Sequence, residues 1–231
     1  MDFSGINDID RRVLSVFNDH HSAFFDSLMV TLTSGVTWIP LYVALLYLVV
    51  KNNETMAQIG MIVASCALCL FITEFVTEGL VKPAAARPRP GNDPEWMYMV
   101  HVVNDRRGLD FSFFSAHASN TCGIAVFFCL LVRDKVLTWL MLTWSLVNCY
   151  TRLYLAMHYP SDILVGLAFG AFTGTLVYLV YWLVYKRVSP KQHYISSQYS
   201  STGYSLADVD VVACVLAATY LLAIVFSLTL H

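Results

Sequence analysis

Residues Ile163–Tyr185 read ILVGLAFGAFTGTLVYLVYWLVY, a stretch of 23 residues without a charged side chain. An α-helix needs about 20 consecutive apolar residues to cross the hydrocarbon core of a bilayer, so this stretch predicts a membrane-spanning helix. Its three glycines, Gly166, Gly170 and Gly174, follow one another every four residues. Small residues at this spacing let two helix backbones approach closely in lipid. The spacing favours packing within one chain, and a dimer face is the alternative.

Five further apolar runs have the length of membrane spans: Leu28–Val50, Met56–Val81, Phe113–Val132, Val136–Met157 and Val211–Leu230. Of the 231 residues, 57% are hydrophobic and 13% are charged, a balance that excludes a soluble globular enzyme. The net charge of −2 gives no attraction to nucleic acid. Because backbone groups in lipid must bond internally, the spans are predicted as helices. The sequence therefore predicts an all-α, polytopic membrane protein with six transmembrane helices.

The segment before the first span has a pattern of its own. Ile6, Ile9, Val13 and Val16 recur at helical spacing, with acidic and basic residues between them. Such a helix suits the membrane interface, and a soluble cap over the bundle fits the pattern almost as well. The segment has no short apolar core, so no signal peptide is expected. We predict one membrane-embedded domain over residues 1–231, with an interfacial segment at 1–27 and a six-helix core at 28–230.

Two connections between the spans are longer than simple turns. Lys82–Ser112 carries five basic residues and a stretch, Trp96–Met99, whose composition suits the membrane interface. Lys186–Ala207 is rich in serine, threonine and tyrosine and is predicted as a polar linker. Glu74 and Glu78 lie one helical turn apart before Lys82. This spacing favours a Glu78–Lys82 pair, and handling of a substrate headgroup or a proton is the alternative.

Polar and ionisable residues collect where the predicted spans end. A charged side chain at the centre of a bilayer costs about 2.5–3.5 kcal/mol on insertion scales, so such residues usually have a function. Consecutive helices run in alternating directions, which places all these ends on one side of the membrane. The residues concerned are Lys82, Arg89, Ser115, His117, Arg152, His158 and Asp162.

The chemistry of this set is that of phosphoryl transfer. The three cations suit a tetrahedral oxyanion, because arginine can bind two of its oxygens at once. The predicted helix that starts near Ser115 adds free N–H groups at its positive end. Histidine can act as a nucleophile or a proton donor near neutral pH. Asp162 follows His158 by four residues, so its carboxylate can hold one imidazole nitrogen and leave the other free to attack phosphorus. The set predicts a phosphohistidine intermediate.

Three motifs carry a family resemblance. Lys82 is followed by six residues and then by Arg89 and Pro90, and the register that ends at Arg87 has the wrong spacing. The chain thereby resembles the type 2 phosphatidic acid phosphatase family, which shares its site with vanadium haloperoxidases and some bacterial acid phosphatases. The family's second and third motifs are usually P-S-G-H and S-R-x5-H-x3-D. This chain has Phe114-Ser115-Ala116-His117, and Thr151-Arg152 followed by His158 and Asp162 at the family spacing.

The resemblance implies a role for each residue of the motifs. His158 would be the nucleophile, oriented by Asp162, and His117 would protonate the leaving oxygen. The phosphate would be bound by Lys82, Arg89, Ser115 and Arg152. The resemblance implies no metal and no cofactor. Phe114, Ala116 and Thr151 depart from the usual motifs, and none of these departures removes a charged or proton-transferring group.

The expected function is hydrolysis of a phosphate monoester or diphosphate of a lipid. Undecaprenyl diphosphate, phosphatidylglycerophosphate, phosphatidic acid and a lipid A phosphate are the candidate substrates. A lipid phosphotransferase that uses the same site is an alternative, and an anion transporter is a second one. The expected partners are the lipid substrate and the membrane, with no nucleic acid and no obligatory protein partner.

The distribution of basic residues predicts the orientation. The face with the site carries eight of the 14 lysines and arginines, and five remain when the three phosphate ligands are left out. The opposite face carries six, which lie closer to the helix ends. Under the positive-inside rule, this asymmetry places the site away from the cytoplasm. We therefore expect a bacterial inner-membrane protein whose active site faces the periplasm.

Overall fold

A computed structural model describes residues 4–188 and 197–229. Within these ranges the chain forms helices and no strand, which confirms the all-α class. Residues 189–196 of the predicted linker Lys186–Ala207, and Leu230 at the end of the predicted sixth span, lie outside the described residues. The described α-helices are α1 (Ser4–Asn18), α2 (Ala23–Leu32), α3 (Ile39–Lys51), α4 (Met56–Glu74), α5 (Lys82–Ala85), α6 (Ala116–Val132), α7 (Lys135–Tyr154), α8 (Pro160–Val188) and α9 (Leu206–Thr229).

The predicted first span, Leu28–Val50, is not one helix. It consists of α2 and α3, which meet at an angle of 65°. Two side chains donate hydrogen bonds to backbone carbonyls at the end of α2. The Trp38 indole donates to Leu32 O over 2.9 Å, and the Thr37 hydroxyl donates to Thr31 O over 2.5 Å. Pro40 lies in the first turn of α3, where its missing N–H costs nothing. These contacts end one helix and begin the next within an uninterrupted apolar run.

Length and composition identify fewer spans than the sequence predicts. In the described part of the chain, Met56–Asn92, Pro160–Arg187 and Leu206–Thr229 are long and apolar enough to cross a membrane. The bent pair of α2 and α3 makes a fourth candidate, while α6 has only 17 residues. The first of these spans contains a π-helical segment, Phe75–Val81, between α4 and α5. The chain is thus an integral membrane protein with three to four candidate spans by this criterion.

The glycines of α8 pack against α6 of the same chain, as the sequence predicts. A β-carbon at Gly170 would lie 2.4 Å from Ser119 O, and one at Gly174 would lie 2.4 Å from Gly123 O. Only glycine allows two backbones to approach this closely. At the start of the pair, the Ser115 N–H donates to Asp162 O over 3.1 Å. The close packing therefore brings the beginnings of α6 and α8 together.

Helix α1 turns its polar side inward. Asp10, Leu14 and Asn18 follow one another every four residues and are all buried. The Asn18 side chain donates to the backbone carbonyls of His101 and Tyr154 over 3.0 and 2.7 Å. Ile9 and Val16, on the apolar stripe, are 62% and 70% exposed. The helix is therefore held to the bundle by buried polar groups, and its apolar stripe points outward.

Candidate active site

His158 lies in the short connection between α7 and α8 and is buried. Its Nδ1 lies 2.9 Å from the backbone oxygen of Ser112. A carbonyl oxygen only accepts hydrogen bonds, so Nδ1 must carry the proton and Nε2 must carry the lone pair. This tautomer leaves Nε2 as the nitrogen that can act as a nucleophile.

Asp162 reaches His158 through Ser112. The Asp162 Oδ2 and His158 Nδ1 atoms are 3.8 Å apart, which is too far for a hydrogen bond. The Ser112 hydroxyl instead donates to Asp162 Oδ2, and the Ser112 carbonyl accepts from His158. Asp162 also accepts the Tyr159 N–H over 2.9 Å. The i, i+4 spacing thus brings the two residues together, and Ser112, which no motif contains, forms the link.

The surroundings of His158 keep it neutral. Burial lowers its pKa well below the usual value for histidine, and the charges of Arg89, Arg152, Lys82 and, last, His117 act in the same direction. All four groups are near enough to act on this imidazole. The structure therefore gathers the predicted cations and both predicted histidines around one buried, neutral nitrogen base.

Lys82 and Arg89 are joined by a carboxylate that the motifs do not contain. Asp110 accepts from Lys82 Nζ over 2.8 Å and from Arg89 Nη2 over 2.6 Å. Partial burial acts to raise the Asp110 pKa, but the Lys82 hydrogen bond and the two positive charges outweigh it and lower the pKa to about 2. Lys82 also donates to Glu78 over 2.5 Å, so the predicted Glu78–Lys82 pair is present. Two predicted phosphate ligands thus hold an anion of the protein itself.

Arg152 has no carboxylate partner among the described residues. It is buried, and its Nη1 donates to the Thr33 hydroxyl over 3.0 Å. Its Nε–H is also buried and has no hydrogen-bond partner in the described ranges. A buried guanidinium normally has a compensating anion, because the desolvation of an unpaired charge is costly. Because no carboxylate among the described residues pairs with Arg152, its charge favours the binding of an anionic ligand.

Ser115 and His117 lie at the start of α6. The Ser115 hydroxyl accepts the Ala118 N–H over 3.4 Å, so this side chain caps the helix. His117 is half-buried in the first turn and lies beside the Thr33 backbone. The positive end of α6 therefore faces the region between Arg152 and His158, where it favours an anion.

Arg87, which the motif register leaves out, contacts the site directly. Its Nη1 donates to Asp162 Oδ1 over 2.7 Å, and its Nη2 donates to Asp10 Oδ2 over 2.6 Å. Sequence reasoning missed Arg87, Ser112, Asp110 and Thr33, since none stands at a motif position. Their common signal is weak: each is a polar residue at a helix end or in the loop Lys82–Ser112.

A group of possible metal ligands lies apart from the predicted site residues. In the described part of the chain it consists of His21, Asp26 and His101. Both ring nitrogens of His21 have partners, Asp26 at 2.7 Å and Asn18 at 3.3 Å. The His21 and His101 rings lie over one another with centroids 3.9 Å apart and planes tilted by 32°, whereas ligand lone pairs point within the ring planes. The group is built as a hydrogen-bonded cluster, and it includes none of the motif residues.

Comparisons with known proteins agree with the motifs. A family model described as the PAP2 superfamily matches residues 62–188. The lipid A 4'-phosphatase of Bacteroides thetaiotaomicron is 37% identical over 176 residues, which are 76% of this chain and 78% of that protein. The undecaprenyl-diphosphatase BcrC of Bacillus subtilis is 25% identical over 161 residues, 69% of this chain and 76% of that protein.

A second lipid A 4'-phosphatase, from Porphyromonas gingivalis, is 29% identical over 178 residues, 76% of this chain and 74% of that protein. The fold also matches the crystal structure of a transmembrane PAP2-type phosphatidylglycerolphosphate phosphatase from Bacillus subtilis. That match has a TM-score of 0.58 and 18% identity, and it covers 81% of this chain and 90% of the other. The family expected from the three motifs is therefore confirmed, and this chain belongs to the PAP2 superfamily.

Proposed function

We propose that this chain is an integral-membrane lipid phosphatase that hydrolyses a phosphate ester through a phosphohistidine at His158. The chain is a phosphoric ester hydrolase, like its relatives that are named phosphatases. The observation that carries the proposal is Arg152, a buried cation beside His158 without a carboxylate partner among the described residues. A substrate phosphate is the anion that would complete this site.

The geometry supports a two-step reaction. His158 Nε2 attacks phosphorus, the bond between phosphorus and the lipid oxygen breaks, and His117 gives its proton to that oxygen. Water then attacks the phosphorus of the phosphohistidine, His117 takes a proton from the water, the bond between phosphorus and Nε2 breaks, and inorganic phosphate leaves. The predicted phosphate ligands, Lys82, Arg89, Arg152 and the start of α6 at Ser115, stabilise the charge that develops on the phosphoryl oxygens. Neither step requires a metal or a cofactor.

Among the candidate substrates, a lipid A phosphate has the most support. Two relatives, which each cover about three quarters of this chain, are named lipid A 4'-phosphatases. Undecaprenyl diphosphate is the second candidate, since a third relative is named an undecaprenyl-diphosphatase. We therefore propose the 4'-phosphate of lipid A as the substrate. A phosphotransferase reaction would use the same first step, with a lipid acceptor in place of water.

We propose that the whole chain forms one domain with six crossings and with α1 in the membrane interface. The outward apolar stripe of α1, with Ile9 and Val16 more than 60% exposed, supports this placement. Because Asp10 of α1 contacts Arg87, helix α1 and the site lie at the same end of the bundle. The site would face the periplasm of a bacterial inner membrane, where a lipid headgroup can reach it without leaving the bilayer.

The test uses the purified chain in detergent with lipid A, undecaprenyl diphosphate, phosphatidylglycerophosphate and phosphatidic acid. Released phosphate gives the rate, and mass spectrometry of the lipid product gives the position that lost it. We expect fastest release from lipid A at the 4' position, unchanged by EDTA. His158→Ala is expected to abolish release and any phosphoenzyme trapped by an alkaline quench.

Three outcomes would contradict the proposal. Faster turnover of another lipid would make the substrate assignment wrong. Phosphate release or a phosphoenzyme in His158→Ala would make the nucleophile wrong. Activity lost with EDTA and restored by magnesium would contradict the metal-independent mechanism. A Lys135→Ala variant, changed at an exposed residue of the opposite face, serves as the matched control for handling in detergent.

A further inference from the structure

Arg87 is the centre of a buried charge network between α1 and the start of α8. Its side chain is 2% exposed, and its guanidinium lies over the Tyr159 ring at 4.0 Å. One end of the guanidinium donates to Asp162, and the other end donates to Asp10 and to the Asn7 side chain. A positive charge thus lies between a carboxylate of the site and a carboxylate of the N-terminal helix.

Asp10 has a second connection to the same place. Its Oδ1 accepts the Ser161 N–H over 2.9 Å, and its Oδ2 accepts the Ser161 hydroxyl over 2.5 Å. Ser161 is in the first turn of α8, where backbone N–H groups have no partner within the helix. The Asp10 carboxylate therefore fixes both the guanidinium that holds Asp162 and the helix that carries Asp162.

The network continues to the nucleophile. The Arg87 backbone oxygen accepts the Ser112 N–H over 2.8 Å. Ser112 in turn donates its hydroxyl to Asp162 and accepts the Nδ1 proton of His158 with its carbonyl. Arg87 thus positions Asp162 through its side chain and Ser112 through its backbone carbonyl. Asp162 and Ser112 together orient the imidazole.

Attachment of α1 alone does not require these contacts. Asn18 already binds the backbone at two points, Leu14 is fully buried, and Arg11 pairs with Asp93 over 2.9 Å. Burying Asp10 and Arg87 instead desolvates two charges, a cost that a surface contact would avoid. Their contacts end on the carboxylate next to the nucleophile rather than on an outer surface of the bundle.

We propose that α1 is part of the catalytic apparatus, in which Asp10 acts through Arg87 as a positioning residue for Asp162, Ser112 and the His158 imidazole. This inference rests on the proposed phosphatase function. Asp10 touches no reacting atom, and its effect is to keep Nε2 of His158 in line with the phosphorus. Misplacement of a reacting group by about 1 Å can cost up to about 10²-fold in rate.

The test compares Asp10→Asn with Asp8→Asn in purified protein. Asn keeps an oxygen for the Ser161 N–H but removes the negative charge that faces Arg87, whereas Asp8 is exposed on the same helix. We expect Asp10→Asn to lower kcat for p-nitrophenyl phosphate by about 10–10²-fold with KM little changed, because the phosphate ligands are untouched. Asp8→Asn is expected to match the wild type. Rates are divided by the number of vanadate-binding sites, so loss of folded protein does not count as loss of kcat.

A second variant keeps the test decisive if Asp10→Asn folds poorly. Arg87→Lys retains one charge but cannot hold Asp10 and Asp162 together. If Asp10 acts through Arg87, adding Asp10→Asn to Arg87→Lys will lower kcat no further. Additive losses, or a wild-type kcat per folded Asp10→Asn molecule, would overturn the inference while leaving the phosphatase function standing. A wild-type protein that releases no phosphate from any substrate would overturn both.

Discussion

The protonation state of His158 follows from its contacts and can be observed directly. The Ser112 carbonyl requires a proton on Nδ1, and burial lowers the pKa well below the usual value. A free histidine is half-protonated near pH 6.5, so at that pH His158 is expected to be neutral with its proton on Nδ1. Nitrogen NMR of histidine-labelled enzyme distinguishes the two tautomers from the imidazolium, and the His158→Gln spectrum assigns the signal. An imidazolium at pH 6.5, or a proton on Nε2, would refute the assignment.

Asp110 pairs with two of the predicted phosphate ligands in the free enzyme. Most substitutions in a site weaken the binding of an anion, but removal of this carboxylate is expected to strengthen it. Asp110→Asn removes the negative charge that Lys82 and Arg89 share, although Lys82 stays paired with Glu78. We expect vanadate and inorganic phosphate to inhibit this variant at lower concentrations. The gain is about two- to tenfold, a modest change because the carboxylate is half-exposed and its ion pairs are screened.

The matched control for Asp110 is Asp105→Asn, which removes an 86% exposed carboxylate of the same loop that pairs only with Arg107 in the described residues. This control is expected to leave the inhibition constants unchanged. Weaker binding of vanadate by Asp110→Asn would mean that the carboxylate holds the two cations in place instead of competing with the substrate. Inhibition constants measured at constant ionic strength distinguish the two cases.

At the residue scale, the sequence predicted which residues lie close together better than it predicted their contacts. The motif spacing identified His158, Asp162 and the cations, because these residues must be at fixed separations along two helices and one loop. It did not reveal that Ser112 stands between His158 and Asp162. Ser112 precedes His158 by 46 residues in the sequence. It comes close to His158 only because its loop folds back onto the start of α8. No local periodicity records such a contact.

Among the helices, the packing of α6 on α8 decides whether the motifs meet. A β-carbon at Gly170 would lie 2.4 Å from Ser119 O and 2.9 Å from Ser119 Cα, both backbone atoms that cannot swing aside. Gly170→Ala must therefore push α6 and α8 apart, at a cost of about 1–3 kcal/mol. We expect a lower melting temperature in detergent and a lower kcat, because the contact between Ser115 and Asp162 lengthens.

Gly60 provides the matched control for this substitution. It is a helical glycine of α4 with nothing within 4 Å of its ideal β-carbon. Gly60→Ala should leave kcat unchanged and raise stability by up to about 1 kcal/mol, since alanine has the higher helix propensity. Equal effects at positions 60 and 170 would show that backbone propensity, rather than close approach of the two helices, governs the result.

The break between α2 and α3 shows where reasoning from apolar runs fails. The stretch Leu28–Val50 contains no charge, so hydropathy alone joins it into one helix. The residues at the break, Thr33, Ser34 and Gly35, are small and uncharged, so hydropathy does not mark them. The chain bends there because the side chains of Trp38 and Thr37 donate hydrogen bonds to the last carbonyls of α2. The bend places the Thr33 hydroxyl against Arg152, so the irregularity contributes a contact to the site.

On the scale of the whole molecule, the exposed apolar side chains near the site fit a protein that works at a membrane surface. Tyr98 and Met99 in the loop before α6 are 85% and 76% exposed, whereas Trp96 of the same predicted belt is buried against Tyr159. Trp96 packs against Tyr159 next to His158, and α1 contacts Arg87 through Asp10, so we expect these side chains and the outward stripe of α1 to form an apolar rim at this end of the bundle. Such a rim would let a lipid headgroup enter while its chains stay in the bilayer.

The orientation of this rim can be tested with single cysteines at opposite ends of the bundle. Leu109 is fully exposed in the loop that carries Asp110, and Glu54 is exposed in the turn between α3 and α4. The candidate span Met56–Asn92 separates these two positions, so we expect them on opposite faces of the membrane. If the site faces the periplasm, an impermeant maleimide added to intact cells will label Leu109→Cys and not Glu54→Cys. After lysis it will label both. Labelling of position 54 alone would place the site on the cytoplasmic face. Labelling of both positions in intact cells would mean that the segment between them, Met56–Asn92, does not cross the membrane.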